Sequence, residues 1–226
     1  MSEPELTIVW SDEHLLVIDK PPGLVVHPAR GHREGTLSQL LAGLAGGGEA
    51  ERAGIVHRLD RDTSGLLVVA RDEQSHARLQ AALRRREIER EYLALVEGVP
   101  PSRTGTIEAP IGRHPRVRTR MAVDGVAARE ARTHFTLLQP LGEVSLLSLR
   151  LDTGRTHQIR VHLQAIGHPV CGDPEYGRAA VLGLSRQFLH ATRLAFEHPI
   201  TGERLELTSP LPDDLRAALL RAGGSI

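Results

Sequence analysis

The sequence predicts an α+β fold with a mostly antiparallel sheet. Apolar, β-branched segments of strand length outnumber the segments with helical periodicity. Several neighbouring strand candidates are separated only by short turn sequences, which is typical of hairpins and favours antiparallel pairing over a doubly wound parallel sheet. The 226 residues are 40% hydrophobic and 25% charged, so one core can form without a disulfide or metal, and we expect a single domain over residues 1–226.

The first part of the chain is predicted to begin with a hairpin. Strands at 6–10 and 15–18 flank a polar turn, and the Pro-Pro-Gly sequence at 21–23 ends the second strand. Thr36 is predicted to N-cap a helix with apolar positions up to Leu44. The three glycines at 46–48 are expected to open a flexible loop, because no Gly-Lys-Ser/Thr follows them to complete a phosphate-binding loop.

The remaining elements alternate between hairpins and helices. Thr156 is predicted to N-cap a helix that ends at Gly167, before Pro169. The other predicted elements are a strand at 66–70, a helix at about 75–90, a strand at 92–96, a hairpin of 132–139 with 143–151, a hairpin of 192–197 with 203–208, and a final helix at 211–221.

The formal net charge of zero argues against a nucleic-acid partner when it is taken as a single number. However, the charges are segregated. Residues 113–132 contain six arginines and two acids, whereas residues 1–19 contain five acids and no Lys or Arg, and residues 197–214 contain five acids and one arginine. Lys20 is the only lysine, so the other 27 basic residues are arginines, which bind phosphate in a bidentate manner.

The compartment is also predicted from composition. The single cysteine, Cys171, excludes an internal disulfide and a thiolate zinc cluster. The acidic N-terminus lacks the pattern of a signal peptide, and no apolar segment approaches the roughly 20 residues of a membrane helix. We therefore expect a cytoplasmic protein with no membrane partner.

The most informative segment is residues 57–65, with the sequence HRLDRDTSG, which lies between two apolar segments. A plain turn requires fewer charged residues than this loop carries. An aspartyl-phosphate phosphatase loop fits poorly, because Thr63 is one position early and Arg61 separates the two carboxylates. A kinase catalytic loop also fits poorly, because Leu59 is inserted before Asp60 and no glycine-rich nucleotide loop is present.

The same nine residues resemble the signature of the RluA-type pseudouridine synthases. Four further segments are similar to the family's other motifs, in the same order along the chain. They are EHLLVIDKPPGLVVHP at 13–28, REYLA at 90–94, GRTHQIRVH at 154–162 with 167–169 and 172–173, and LHATRL at 189–194 with 198–199. Arg90 stands where the family usually has lysine.

The resemblance implies a mixed, mainly antiparallel central sheet with flanking helices, in one catalytic domain. It also implies an isomerisation of uridine to pseudouridine in RNA, in which the N1–C1′ bond breaks and C5 bonds to C1′, without a cofactor or metal. The family's catalytic aspartate falls on Asp60, which attacks C1′ or the base, or removes the C2′ proton. Tyr92 matches the tyrosine that stacks on the target base, and Arg160 matches the arginine that pairs with the catalytic carboxylate.

The expected RNA contacts are mostly arginines. Arg58 matches the arginine that fills the space left by the flipped nucleotide, since flipping costs a few kcal/mol of unstacking. The other expected RNA-binding residues are Arg61, Arg113, His114, Arg116, Arg118, Arg120, Arg155 and His157. His157 and His162 are five residues apart rather than the four of a zinc helix, so no metal site is expected. We expect one face to carry Arg58, Arg160 and residues 113–120.

The RNA partner, the oligomeric state and the alternative function are also predicted from the sequence. The partner is expected to be ribosomal or transfer RNA, and the protein is expected to be a monomer. The alternative from another functional class is a catalytically silent RNA-binding or ribosome-assembly factor built on the same fold. It predicts salt-sensitive RNA binding without isomerisation.

Overall fold

The computed structural model describes residues 6–28, 34–49 and 54–225. The chain forms two compact units. The first contains Met1–Arg90 and Ala191–Ser209, and the second contains Glu91–His190 and Pro210–Ile226. The expectation of one domain over the whole chain stays a prediction.

Strands predominate in the described residues, as predicted. The strands are β1 (Thr7–Ser11), β2 (Leu15–Lys20), β3 (Ser64–Ala70), β4 (Glu89–Glu97), β5 (Thr104–Glu108), β6 (Ile111–Arg113), β7 (Met121–Val123), β8 (Val126–Arg129), β9 (Arg132–Leu141), β10 (Val144–Leu151), β11 (Leu189–Glu197) and β12 (Arg204–Thr208). The α-helices are α1 (Leu37–Leu40), α2 (Glu73–Arg85), α3 (Gln158–Ala165) and α4 (Asp213–Arg221). None of these helices is long and apolar enough to cross a membrane.

The sheet of the first unit confirms two of the predicted hairpins. β1 pairs with β2, β2 with β3, and β11 with β12, all antiparallel. β3 is buried along its whole length, because its side chains face core on both sides. Its inward set, Leu66, Val68 and Ala70, packs with Leu79 of α2 and Phe196 of β11 in one apolar cluster. This core supports the polar residues that immediately precede β3.

Two helices of the first unit differ from their predicted extents. α1 is a single turn rather than a helix that reaches Leu44, because Gly43 takes a left-handed conformation and reverses the chain. α2 begins earlier than predicted, at Glu73, because the Asp72 carboxylate accepts a bond from the Ser75 amide at 2.8 Å. It ends earlier too, where Arg86 takes a left-handed conformation.

The prediction of a flexible loop at the three glycines is wrong for the residues that the structure describes. A Cβ on Gly47 would lie 2.7 Å from the Asp72 carbonyl oxygen, and the Gly48 amide donates to Glu73 Oε2 at 2.9 Å. The glycines therefore let the chain pack closely on the start of α2. The continuation of this loop, residues 50–53, lies outside the described residues.

Within the described residues, the strands of the second unit belong to two sheets, one of nine strands and one of three. β4 pairs with β10, β10 with β9, and β9 with β5, while β6 pairs with both β7 and β8, all antiparallel. The predicted hairpin of β9 and β10 is confirmed, with Gly142 in the left-handed conformation at its turn. Ile111, Ala131, Val161 and Tyr176 join the smaller sheet to α3 in an apolar cluster.

The predicted start of α3 is wrong. His157, in a left-handed conformation, precedes the first helical residue, so Thr156 is not the N-cap. The side chain of Gln158 instead holds this turn, because its Oε1 accepts from the Arg155 amide at 2.9 Å and from Thr153 Oγ1 at 2.8 Å. The predicted end at Gly167 is confirmed to within two residues, and the predicted final helix is α4.

Candidate active site and nucleic-acid surface

The loop that carries Asp60 is anchored on both sides by buried residues. Leu59 is 4% exposed, Thr63 is 2% exposed, and the Thr63 amide donates to the Asp60 carbonyl oxygen at 3.1 Å. Just before the loop, Ile55 forms an antiparallel bridge with Val69. Asp60 itself is half-buried. A short turn between buried neighbours therefore fixes the position of the aspartate.

Lys20 braces this loop from a neighbouring segment. The residue is completely buried, and its ammonium donates to the carbonyl oxygens of Pro21 at 2.8 Å, Leu24 at 3.0 Å and Arg61 at 2.8 Å. The Gly23 amide also donates to the Arg61 carbonyl at 2.9 Å. Because a buried ammonium needs acceptors for its three N–H groups, this arrangement ties residues 20–24 to the residue after Asp60. Sequence reasoning assigned Lys20 no role.

His57, at the start of the loop, is neutral. Burial lowers the pKa of His57 to about 3, with a further contribution from the positive charge of Arg90. Its Nε2 accepts a bond from the Val68 amide at 3.2 Å, so the proton of the neutral ring is on Nδ1. His57 therefore joins the loop to β3 and adds no charge to it.

The two arginines of the loop differ. Both Arg58 and Arg61 are exposed. Arg61 donates to the carboxylate of Asp62 through Nε at 3.1 Å and Nη2 at 2.8 Å, whereas Arg58 forms no ion pair within the described part of the chain. The positive charge of Arg58 is therefore uncompensated. The Asp62 carboxylate is engaged by a guanidinium, which disfavours the magnesium-binding role that a phosphatase would require.

Two predicted catalytic residues belong to the second unit, and both are buried. Tyr92 is 5% exposed and lies on β4 opposite Leu149 of β10. Arg160 is 4% exposed and lies in the first turn of α3. The guanidinium of Arg160 is thus enclosed by protein, and the expectation that one face carries Arg58, Arg160 and residues 113–120 stays a prediction.

The guanidinium of Arg160 is held by two carboxylates. Its Nε donates to Asp173 Oδ2 at 2.6 Å, and its Nη2 donates to Asp173 Oδ1 at 2.9 Å and to Glu175 Oε2 at 2.8 Å. Burial raises the pKa of the completely buried Asp173, but hydrogen bonds from Arg160, the charge of Arg160 and the amides of Glu175 and Tyr176 outweigh this effect and lower the pKa below 3.8. Asp173 is thus an ionised partner that orients Arg160.

The partnership of Arg160 with Asp173 was missed by sequence reasoning. The available signal was the Gly-Asp pair at 172–173, which matched a family motif without an assigned role. Tyr176 completes the cluster, because its ring centroid lies 4.9 Å from the guanidinium carbon of Arg160. His157 Nδ1 and the Tyr176 hydroxyl are hydrogen-bonded at 2.8 Å, so the imidazole of His157, expected to bind RNA, has a structural partner.

The arginines around β6 and β7 form the strongest positive surface. Arg113, Arg116 and Arg118 are exposed and Arg120 is half-buried, and none of the four forms an ion pair with another described residue. His114 Nδ1 accepts from the amides of Arg116 at 3.2 Å and Val117 at 3.0 Å, which shapes the connecting turn. These four arginines supply positive charge that no ion pair within residues 6–28, 34–49 and 54–225 balances.

Arg155 is a further positively charged residue of the second unit. Its Nε donates to the Glu130 carbonyl oxygen at 2.9 Å. Burial lowers the pKa of Arg155, and the positive charge of Arg129 lowers it further. Two like charges within interaction range are stabilised when an anion such as a phosphate binds.

The sequence matches a known protein family over most of its length. A family model for RNA pseudouridylate synthases matches residues 14–165. The chain therefore belongs to the RNA pseudouridylate synthase family, which confirms the family resemblance and the α+β fold predicted from the sequence.

Two curated proteins and one solved structure show how similar the chain is to individual relatives. A protein of Chloroflexus aurantiacus, named an uncharacterized RNA pseudouridine synthase, is 56% identical over 208 residues, covering 89% of this chain and 64% of that protein. Ribosomal large subunit pseudouridine synthase D of Nitrosomonas europaea is 51% identical over 226 residues, covering 96% of this chain and 65% of that protein. The chain thus spans just under two thirds of the length of both relatives. The solved structure of human RNA Pseudouridylate Synthase Domain Containing 1 gives a TM-score of 0.72 at 30% identity, covering 94% of this chain and 86% of that chain.

Proposed function

We propose that this protein is an RNA pseudouridine synthase that isomerises specific uridines in structured RNA. In this reaction the N1–C1′ glycosidic bond breaks, the detached base turns, and C5 bonds to C1′. The proton leaves C5 and N1 gains one, so no atom is lost and no cofactor or metal is required. The observation that carries the proposal is the carboxylate of Asp60 in the HRLDRDTSG loop, which buried neighbours anchor on both sides.

We propose that Asp60, Tyr92 and Arg160 carry the chemistry. Asp60 supplies the carboxylate that attacks C1′ or the base, or removes the C2′ proton, and Tyr92 stacks on the target base. Arg160 supplies a fixed positive charge that favours the ionised form of the catalytic carboxylate.

The decisive experiment uses RNA with tritium at C5 of uridine, a label that is released when C5 bonds to C1′. The wild type is expected to release tritium, whereas Asp60→Asn should reduce release at least a thousandfold, because the amide is neither a nucleophile nor a base. Asp62→Asn is the matched control on the same loop and should retain release. Equal rates for Asp60→Asn and the wild type would overturn the assignment of Asp60.

The substrate is proposed to be ribosomal RNA or transfer RNA, and the name of the Nitrosomonas europaea relative favours ribosomal RNA. We also propose that the protein works as a cytoplasmic monomer with one catalytic domain. Pseudouridine maps of RNA from cells with and without this protein would identify the modified uridine. A change confined to transfer RNA would contradict the ribosomal preference.

One observation favours a second candidate, a catalytically silent RNA-binding factor. The arginines at 113–120, which form no ion pair with the residues that the structure describes, are suited to RNA binding whether or not catalysis follows. This candidate predicts salt-sensitive RNA binding and no tritium release from any cellular RNA. Tritium release by the wild type would exclude it.

A further inference from the structure

The second unit contains a cavity of about 300 Å³ beside β7 and the end of α3. Met121 and Val123 of β7 line it together with Val161 and Ala165 of α3. Pockets that bind small organic groups begin at about this volume. The cavity is therefore large enough for a nucleobase and too small for a folded peptide element.

The polar groups of the cavity favour a planar ligand attached to an anion. The guanidinium carbon of Arg120 lies 5.2 Å from the ring centroid of Tyr176, and both residues line the cavity. The Tyr176 ring thus holds a guanidinium plane in place, and such planes are surfaces on which unpaired RNA bases stack. Gln164, whose side chain lies on the exposed side of α3, adds an amide that both donates and accepts hydrogen bonds.

Tyr176 itself stays uncharged. Burial raises the pKa of Tyr176 to about 12, and its hydroxyl accepts a bond from the Met121 amide at 2.8 Å. The cavity therefore contains no phenolate that would repel a phosphate. Arg113, Arg116 and Arg118, which form no ion pair with a carboxylate in the described part of the chain, supply the complementary charge for the nucleic-acid backbone.

We propose that this cavity is a nucleobase-binding subsite that takes an unpaired base of the RNA substrate, near the target uridine. Purely electrostatic binding of a backbone would not need apolar walls or an aromatic ring, whereas both suit the flat apolar faces of a base. The Tyr176 ring contacts two guanidinium groups. One belongs to Arg120, which lines the cavity, and the other to Arg160, the proposed catalytic arginine. Binding of a base in this subsite therefore helps to select the uridines that are modified, an inference that rests on the proposed function.

The test measures binding of labelled RNA by fluorescence anisotropy. The probes are a hairpin RNA with unpaired loop bases and a fully paired duplex with the same number of phosphates. Ala165→Phe fills the cavity from the last residue of α3 and changes no charge. It is expected to weaken hairpin binding about tenfold, in the range that stacking of one base contributes, while duplex binding and the salt dependence stay unchanged.

Two further variants make the result decisive. Ile166→Phe is the matched control, because Ile166 is 38% exposed, caps the same helix and does not line the cavity. It should leave both affinities unchanged. Gln164→Ala, which shortens an exposed side chain, is expected to weaken hairpin binding severalfold and tests the subsite even if the phenylalanine variant is unstable.

The outcomes separate this proposal from the proposed function. Unchanged hairpin binding by Ala165→Phe and Gln164→Ala would overturn the subsite, even if the wild type releases tritium. An equal loss of hairpin and duplex binding would also overturn it, because a base subsite discriminates between them. If the wild type releases no tritium, the proposed function fails, and the binding comparison still decides whether the cavity takes a base.

Discussion

Lys20 and Arg160 are buried cations with different partners. The ammonium of Lys20 donates to three backbone carbonyl oxygens, which orient it. The guanidinium of Arg160 binds two carboxylates, and one of them, Asp173, is completely buried. Lys20 therefore determines the backbone path next to Asp60, whereas the orientation of Arg160 depends on Asp173 and Glu175, of which Asp173 accepts two of the three hydrogen bonds. This dependence leads to a prediction for Asp173.

Asp173→Asn is expected to lower the free energy of unfolding by about 3 kcal/mol, because removal of one partner leaves the other charge buried and less compensated. Tritium release should fall at least tenfold as Arg160 loses its orientation. Because the pKa of Asp173 is lowered in the folded state, its stabilising effect is present above pH 3.8 and is lost as the pH falls through the folded-state pKa. Urea denaturation at several pH values and the tritium assay check these results.

Asp214→Asn is the control for Asp173→Asn. Asp214 accepts from Nε of Arg186 at 2.7 Å and from Nη2 at 3.0 Å, which is the same bidentate geometry. Its side chain is 45% exposed, so a smaller loss of stability is expected. Tritium release should be retained. An equal loss of activity in both variants would show that Asp173 acts through stability alone.

The elements of the first unit depend on local contacts at their ends. The N-terminus of α2 is capped by Asp72 and covered by the glycines at 46–48, which approach it without side chains. Leu79 of the same helix packs against β3, the strand that follows the Asp60 loop. The contacts that fix the start of α2 therefore help to support that strand.

Asp72→Ala is expected to lower the free energy of unfolding by about 1 kcal/mol, because the Ser75 amide loses its acceptor. Urea denaturation measures this change. Asp213→Ala, in the first turn of α4, is the matched control: it removes an acid that makes no capping bond and should cost only a few tenths of a kcal/mol. Equal losses would indicate that charge at the helix terminus, not the cap, explains the effect.

At the scale of the whole molecule, the net charge of zero conceals two kinds of arginine. Arg193 and Arg204 pair with Glu89 in the first unit, and Arg178 pairs with Glu97 in the second. The arginines at 113–120 have no such partners among the described residues. The proposed attraction for RNA therefore rests on a local excess of positive charge at these residues.

Simultaneous replacement of Arg113, Arg116 and Arg118 by Gln is expected to weaken RNA binding and to flatten its salt dependence. Each lost phosphate contact reduces the slope of log affinity against log salt by about 0.7 to 0.9, so three contacts reduce it by about two to three. Anisotropy titrations at several salt concentrations measure the slope. Replacement of the paired Arg178 and Arg204 by Gln is the control and should leave it nearly unchanged, whereas an equal change would contradict the local excess of charge.

The sequence by itself determined the α+β class, the hairpins, the family and the position of the Asp60 loop, because strand alternation, turn residues and ordered motifs are local patterns. The starts of α2 and α3 were predicted less well, since the Asp72 side chain caps α2 and the Gln158 side chain holds the turn before α3, and neither bond is evident from the sequence pattern. Only the tertiary structure assigned Asp173 to Arg160 and Lys20 to the carbonyl of Arg61. Those partners are distant in the chain, and a buried charge is satisfied by whichever acceptors the fold brings to it.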